Sequence, residues 1–181
     1  YTGGTSGHNP FRGYSFSESR RPDVSTGTEM GGFAAERHWV IVFERRTGTN
    51  FDIFGIVARD GNADNARSIP VMQDYDEGLN HRRPRIAFDS DDYIVGYYTD
   101  FPSGPYRVHY TAMNVVHDAG ELRLGLGERR QRVGTSNEPP LVAVASHWDG
   151  GGPASALEPG DAFVVWLDRP TSLTSDVAGA I

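Results

Sequence analysis

Residues 92–98 read Asp-Tyr-Ile-Val-Gly-Tyr-Tyr, and two further runs of the same kind, His-Trp-Val-Ile-Val-Phe-Glu and Ala-Phe-Val-Val-Trp-Leu, occupy residues 38–44 and 162–167. All three are short, largely apolar and rich in the β-branched and aromatic residues that favour strands. A strand that is covered on both faces needs such a run, because neither face meets water. The three runs therefore predict the middle strands of three buried β-sheets.

Further strands recur around each middle strand. A proline-led strand precedes it, at residues 21–25, 83–87 and 139–143, and a third strand follows it, at residues 51–56, 106–111 and 175–180. A fourth strand is predicted in the first two copies, at residues 68–73 and 121–127. In the third copy this strand is expected to come from residues 10–17. This alignment makes Phe43, Tyr98 and Trp166 the equivalent anchor aromatics of the three copies.

The repeat predicts an all-β fold, namely a β-propeller-like domain over residues 1–181 with about three four-stranded blade units. The units cover approximately residues 20–73, 82–127 and 138–181, with residues 10–17 completing the last one. Propellers generally have four to eight blades, so three units leave three arrangements open. These are two copies that join into a six-bladed ring, a longer polypeptide of which this chain is a part, and a compact β-sandwich.

Two segments match a known repeat best: Asp-Ile-Phe-Gly at residues 52–55, with Asp60-Gly61 behind it, and Phe-Val-Val-Trp-Leu-Asp at residues 163–168. On these residues the chain resembles the repeats of bacterial secreted β-propeller proteins, in which a unit runs Pro-x-Val-Ala, Tyr-Leu-Val-Val-Trp and Asp-Ile-Tyr-Gly. The second copy departs from the pattern at Arg107 and Tyr110. The resemblance implies a propeller fold and a secreted or cell-surface location. It implies no particular ligand, because propellers host many unrelated functions.

Charge and composition narrow the classes of partner. The chain carries 24 acidic and 17 basic residues, for a net charge of −7, and every basic residue is Arg. This balance argues against nucleic-acid binding, which relies on a basic surface. The absence of cysteine excludes disulfides, thiolate metal ligands and a cysteine nucleophile. No apolar run approaches the ~20 residues of a membrane span, so no membrane-spanning segment is expected.

Two long loops are candidates for a ligand surface. The turn after the proline-led strand expands to residues 26–37 in the first copy and to residues 146–161 in the third, and loops on a rigid scaffold often carry binding. The predicted binding residues are Phe33, His147, Trp148 and Asp149 from these loops, with Phe101 and Tyr106 from the second copy. Tolerated insertion and aromatic packing within the blades explain the same residues more simply.

The aspartates at 89, 91 and 92 are the candidate metal ligands. Asp89, Asp91 and Asp92 cluster carboxylates in one turn, which hard cations such as Ca²⁺ favour. Their spacing fits no complete calcium loop, and solvated turn acids explain them more simply. His109 alternates within a predicted strand, which favours a structural role over metal ligation. We therefore expect no cofactor, with Ca²⁺ at these aspartates as the alternative.

Catalytic signatures are sparse. No Gly-x-Ser-x-Gly elbow occurs, so enzymatic activity is the less favoured hypothesis. The acids considered for glycoside hydrolysis are Asp23, Glu44, Asp100 and Asp168. Four Arg-Arg steps, at residues 20–21, 45–46, 82–83 and 129–130, suit either ion pairs between blades or recognition of an acidic ligand.

The sequence thus predicts a non-catalytic extracellular binding module that presents loops on a propeller scaffold to a protein partner or a glycan. Two alternatives remain open: a polysaccharide hydrolase with acids at the propeller channel, and a structural subunit that completes a ring by self-assembly. The expected partners are a second copy of the chain or the remainder of a longer polypeptide, and a glycan is the candidate ligand.

Overall fold

Every regular element of the chain that can be described is a β-strand. The computed structural model describes residues 19–28, 37–59, 69–71, 78–89, 92–118, 121–125, 131–146, 162–168 and 176–180. Within these ranges all strand pairs are antiparallel, and there is no helix long and apolar enough to cross a membrane. The predicted all-β class is confirmed.

The strands form three sheets in chain order. Sheet 1 contains β1 (Ser19–Thr28), β2 (Arg37–Thr47), β3 (Asn50–Arg59) and β4 (Ile69–Pro70). Sheet 2 contains β5 (Asn80–Asp89), β6 (Asp92–Asp100), β7 (Tyr106–Asp118), β8 (Glu121–Gly125) and β9 (Gln131–Ser136). Sheet 3 contains β10 (Leu141–Ser146), β11 (Ala162–Asp168) and β12 (Asp176–Ala180). Each described sheet is open, and closure into a propeller stays a prediction.

Two-residue connections join β2 to β3, β5 to β6 and β7 to β8, as the last pair of each ladder shows. Thr47 pairs with Asn50, so a two-residue loop joins β2 and β3. Gly48, the first loop residue, has a φ of 64°, which suits a primed hairpin turn and favours glycine. Sheets 1 and 3 are meanders whose strands follow one another in chain order, and sheet 2 adds β9 beside β7.

The core consists of two layers, one on each face of sheet 2. On one face, Tyr93, Val95 and Tyr97 of β6 pack with Val40 and Val42 of β2. Because side chains alternate along a strand, the intervening residues of β6 lie on the opposite face. There, Ile94 and Tyr98 pack with Val142, Val164 and Trp166 of sheet 3. Sheet 2 therefore lies between sheets 1 and 3, which explains why the middle run of β6 is buried throughout.

A third apolar cluster lies on the face of sheet 1 that points away from sheet 2. Phe43, Phe54 and Ile56 are buried there, with Ile41 and Ala58 packed against them. The rings of Phe43 and Phe54 stack with their centroids 6.4 Å apart. Sheet 1 is thus apolar on both faces.

The ladders show which residues of the three sheets are equivalent. Asp23, Arg85 and Leu141, which directly follow Pro22, Pro84 and Pro140, pair with Val42, Gly96 and Leu167, respectively. Val42, Gly96 and Leu167 therefore occupy matching positions on the three middle strands.

The alignment of anchor aromatics is wrong in this register. Phe43 lies one residue after Val42, Tyr98 lies two residues after Gly96, and Trp166 lies one residue before Leu167. Accordingly, Phe43 packs on the far face of sheet 1, whereas Tyr98 and Trp166 meet between sheets 2 and 3. The sequence alignment matched aromatic residue types, but a shift of one residue moves a side chain to the other face of the sheet.

The fourth strands occur where they were predicted, and one strand was missed. β4 and β8 lie within the expected segments and pair with β3 and β7. β9 was not predicted; it pairs with residues 106–110 of β7, because β7 is long enough to hold two partners along one edge. Residues 10–17, expected to complete the last sheet, lie outside the described residues.

Close approach of sheets 2 and 3 depends on Gly96. A Cβ at this position would lie 2.6 Å from Val144 Cγ2 and 3.1 Å from Val142 Cγ1. Both neighbours are side chains of sheet 3, so any added atom would push the two sheets apart or force these side chains out of their rotamers.

We expect Gly96→Ala to lower the free energy of unfolding by about 1–3 kcal/mol, the usual cost of overpacking a core. Chemical denaturation followed by tryptophan fluorescence measures the change. Gly104→Ala is the matched control, because nothing lies within 4 Å of a Cβ there. Equal stability of the two variants would contradict the tight packing of these sheets.

Candidate functional site

A buried carboxylate joins sheets 1 and 2 at one end of their strands. Glu44 of β2 is fully buried, and its Oε2 accepts hydrogen bonds from Arg20 Nε at 2.7 Å and from Arg82 Nη1 at 3.4 Å. Its Oε1 accepts from Arg21 Nη1 and from the backbone N–H of Arg83, each at 2.8 Å. Three guanidinium groups from β1 and β5 therefore converge on one side chain of β2.

Two matching bulges build this cluster. The register of sheet 1 shifts around Arg21-Pro22, and that of sheet 2 shifts around Arg83-Pro84. Arg21 and Arg83 have φ values of 52° and 51°, in the left-handed region that non-glycine residues rarely adopt. Proline has no N–H to donate to a ladder, and a bulge redirects the side chains next to it. The same local sequence, Arg-Arg-Pro, thus directs two segments toward Glu44.

Phe51, the second residue of β3, orders two of these arginines. The guanidinium carbon of Arg20 lies 3.8 Å from the centroid of its ring, and that of Arg82 lies 4.4 Å away. Asn80 Oδ1 accepts hydrogen bonds from the backbone N–H of Phe51 and from Arg82 Nη2, each at 3.1 Å. Stacking on the ring restricts the conformational freedom of both guanidinium groups.

The loop between β6 and β7 lies at the same end of sheet 2, because Asn80 pairs with Asp100 and Thr99 with Arg107. The guanidinium carbon of Arg107 lies 4.1 Å from the ring centroid of Phe101. Burial raises the pKa of the Asp100 carboxyl, since the charged form is less well solvated.

Arginine is concentrated at this end of sheets 1 and 2. We call this surface the arginine end and define it by Arg20, Arg21, Arg45, Arg46, Arg82, Arg83 and Arg107. Described carboxylates at the same strand ends include those of Glu44, Asp52 and Asp100, and Glu138 follows the end of β9. Arg20 and Arg21 each keep 43% of their side-chain surface exposed. Counted over the described residues, this end of a chain with a net charge of −7 carries a local excess of positive charge, part of it in contact with water.

A second polar group lies deeper, between the sheets. His81 Nδ1 is 3.1 Å from Asp52 Oδ1, and the ring of Tyr97 lies 5.9 Å from that of His81 and 5.6 Å from that of His109. His81 Nε2 is buried and has no hydrogen-bond partner among the described residues. All four residues are buried, which agrees with the structural role predicted for His109.

The structure describes two of the six predicted binding residues. Phe101 and Tyr106 flank the β6–β7 loop, where Phe101 stacks on Arg107 and the ring of Tyr106 meets that of Tyr98 edge-on, with centroids 5.5 Å apart. Both rings are partly buried. Phe33, His147, Trp148 and Asp149 lie outside the described residues.

The predicted metal ligands are only partly described. Asp89 is the last residue of β5 and is buried. Asp92 is the first residue of β6 and pairs with Asp89. Asp91 lies outside the described residues. Where the chain is described, no group of three or more His, Asp or Glu side chains could hold a metal ion. A calcium site that includes Asp91 stays a prediction.

Two acids considered for catalysis make structural contacts. Glu44 is enclosed by the arginines, and Asp23 Oδ2 accepts the backbone N–H of Ile86 at 3.0 Å. Arg85 Nη1 lies 3.9 Å from Asp23 Oδ1. Asp168 is the last residue of β11, and its side chain is not among the described side chains.

The sequence patterns did not predict which arginines would contact Glu44. The Arg-Arg steps suggested ion pairs between sheets. Arg82 of sheet 2 pairs with Glu44 of sheet 1 and confirms that interpretation for the step at residues 82–83, whereas Arg20 and Arg21 pair with Glu44 within sheet 1. The available signal was the recurrence of Arg-Arg-Pro in both sheets together with an acid that interrupts the apolar run of β2.

No family model matches this sequence. Comparison with curated proteins and with solved structures likewise returns no significant match.

We expect Glu44→Gln to lower the free energy of unfolding by about 2–3 kcal/mol. Breaking a fully buried ion pair costs about 3–5 kcal/mol, and the exposure of Arg20 and Arg21 reduces that figure because water solvates them. Urea denaturation at neutral pH measures the effect. Arg46→Ala is the control: its side chain is exposed and donates to Gly48 O within its own turn, so its change should stay within about 0.5 kcal/mol. Equal effects of the two substitutions would contradict the role assigned to Glu44.

Proposed function

We propose that this chain is a non-catalytic binding module that recognises an anionic glycan at its arginine end. The observation that carries the proposal is the convergence of three guanidinium groups on the single carboxylate of Glu44. One negative charge does not balance three positive ones, and the exposed parts of Arg20 and Arg21 remain available to a second anion. Guanidinium groups bind carboxylates through paired N–H donors.

Two further features favour a sugar acid, the first over a simple anion and the second over a nucleic acid. Phe101 and Tyr106 flank an exposed loop at the arginine end, and an aromatic edge or face beside a charged group suits a ring that is apolar on one side and polar at its rim. The overall charge of −7 disfavours a long nucleic acid, whose phosphates would meet the acidic remainder of the surface.

The proposal extends to the scaffold and the location. It places the three sheets in a propeller-type arrangement and the protein outside the cell or on its surface, as the sequence resemblance implies. A hydrolase would instead need two carboxylates about 5–9.5 Å apart on either side of a substrate. The contacts of Glu44 and Asp23 with neighbouring backbone and arginine groups do not favour that alternative.

We expect the protein to bind glycans that carry uronic or sialic acids and to leave their neutral counterparts unbound. A glycan array identifies the ligand, and isothermal titration calorimetry measures its affinity. Binding should weaken several-fold as the Debye length shrinks from about 10 Å at 0.1 M to about 3 Å at 1 M salt. Chromogenic glycosides, tested in parallel, should give no turnover.

Arg107→Gln tests the site without disturbing the contacts of Glu44. Loss of one charge-assisted hydrogen bond should weaken binding about tenfold while the thermal midpoint stays unchanged. Arg123→Gln is the matched control, because Arg123 is also exposed but lies on β8 near the opposite end of β7. Equal binding of neutral glycans, or equal affinity of both variants, would refute the proposed site, and glycoside turnover would refute a non-catalytic role.

A further inference from the structure

Asp100 differs from the two carboxylates that lie nearest to it in the sheets of the arginine end. The carboxylate of Glu44 is enclosed by arginines, and that of Asp52 lies 3.1 Å from His81 Nδ1. Within the part of the chain that the structure describes, no hydrogen bond or ion pair reaches the carboxylate of Asp100, which is partly exposed. Its oxygens are therefore available to a donor that comes from outside the protein.

The surroundings of Asp100 are partly apolar. Asp100 is the last residue of β6, and Phe101 follows it, with the guanidinium carbon of Arg107 4.1 Å from the centroid of that ring. Burial raises the pKa of the Asp100 carboxyl, because its charged form has lost part of the hydration that an exposed carboxylate keeps. Such a carboxylate gains more from a hydrogen-bond donor than a fully hydrated one does, since less bound water has to be given up.

The hydroxyl of Tyr98 connects Asp100 to the arginines around Glu44. Burial raises the pKa of Tyr98, and the charges of Arg83, Arg21, Asp100 and Glu44 have smaller effects on it. The hydroxyl thus lies within electrostatic reach of Asp100 and of two arginines. Because no described ion pair joins Asp100 to an arginine, the acceptor and the donors lie near one another without neutralising each other. A ligand that engages both needs a hydrogen-bond donor for Asp100 and an anionic group for the arginines.

We propose that Asp100 is a specificity-determining residue of the glycan site, where it accepts a hydrogen bond from a sugar hydroxyl while the arginines bind the carboxylate of the same sugar. This role rests on the proposed function, since it concerns the same site. It narrows the ligand to sugar acids with a free hydroxyl group near the carboxylate. An anion without hydroxyl groups would meet the negative charge of Asp100 and leave it unpaired, and a site built to bond a hydroxyl rejects analogues that lack it for that reason.

Nuclear magnetic resonance titrations with glucuronate and with cyclohexanecarboxylate test the role of Asp100. Both probes carry a carboxylate on a ring of the same size, but only glucuronate has hydroxyl groups. The unaltered chain should bind glucuronate about tenfold more tightly, the effect of one charge-assisted hydrogen bond. Asp100→Ala should weaken glucuronate binding about tenfold and leave cyclohexanecarboxylate binding equal or tighter, because a negative charge near the arginines has been removed. Asp100→Asn, which keeps the shape and a neutral acceptor, should lie between the two.

Asp92→Ala is the matched control, because Asp92 is also partly exposed but lies at the other end of β6. It removes the same charge and should leave both affinities unchanged. An unaltered thermal midpoint shows that each variant is folded, and Asp100→Asn carries the comparison if Asp100→Ala does not fold.

The outcomes separate the role of Asp100 from the proposed function. Equal binding of the two probes by the unaltered chain, or an equal loss of both in Asp100→Ala, would overturn the role of Asp100 and leave the anion site intact. Arg107→Gln should weaken both probes, since each carries a carboxylate. If the unaltered chain binds neither probe, the proposed function fails, and the role of Asp100 fails with it.

Discussion

Strand β6 is buried on both faces, and the positions of the other sheets follow from that burial. Tyr93, Val95 and Tyr97 need an apolar cover on one side, and Ile94 and Tyr98 need one on the other. Each large apolar side chain removed from water contributes roughly 1.5–3 kcal/mol. Sheet 2 therefore requires a neighbour on each face, and sheets 1 and 3 require sheet 2 to cover their own inner residues.

The charged end of the same interface obeys a different constraint. Glu44 stands where the packing of sheets 1 and 2 excludes water, and a buried carboxylate is stable only when donors replace its hydration. The two Arg-Arg-Pro bulges supply those donors, at the cost of a left-handed backbone at Arg21 and Arg83. Strained backbone of this kind costs of order 1–3 kcal/mol per residue and often marks functional sites. The positive charge gathered to solvate Glu44 is also what makes this end a candidate for binding an external anion.

Much of the local structure could be predicted from sequence. The runs at residues 38–44, 92–98 and 162–167 lie within β2, β6 and β11, because unbroken apolar β-branched and aromatic runs have few other stable conformations in a globular chain. Sequence patterns did not predict the features that depend on a partner far away in the chain. β9 has only six residues. Its position depends on β7, whose free edge is long enough to pair with both β8 and β9. The contacts of Arg82 with Glu44 join residues 38 positions apart, and no local pattern encodes that distance.

By itself, the sequence determined the all-β class, the three middle strands and the proline-led strands before them, since residue type and alternation act within a few neighbouring residues. Only the tertiary structure decided which face each side chain occupies and which arginines meet Glu44. Phe43, Tyr98 and Trp166 illustrate the difference: they are alike in chemistry, yet the register of each ladder assigns them different partners. Register is set by packing between sheets and by the bulges, and a one-residue shift there reverses every side chain of the strand.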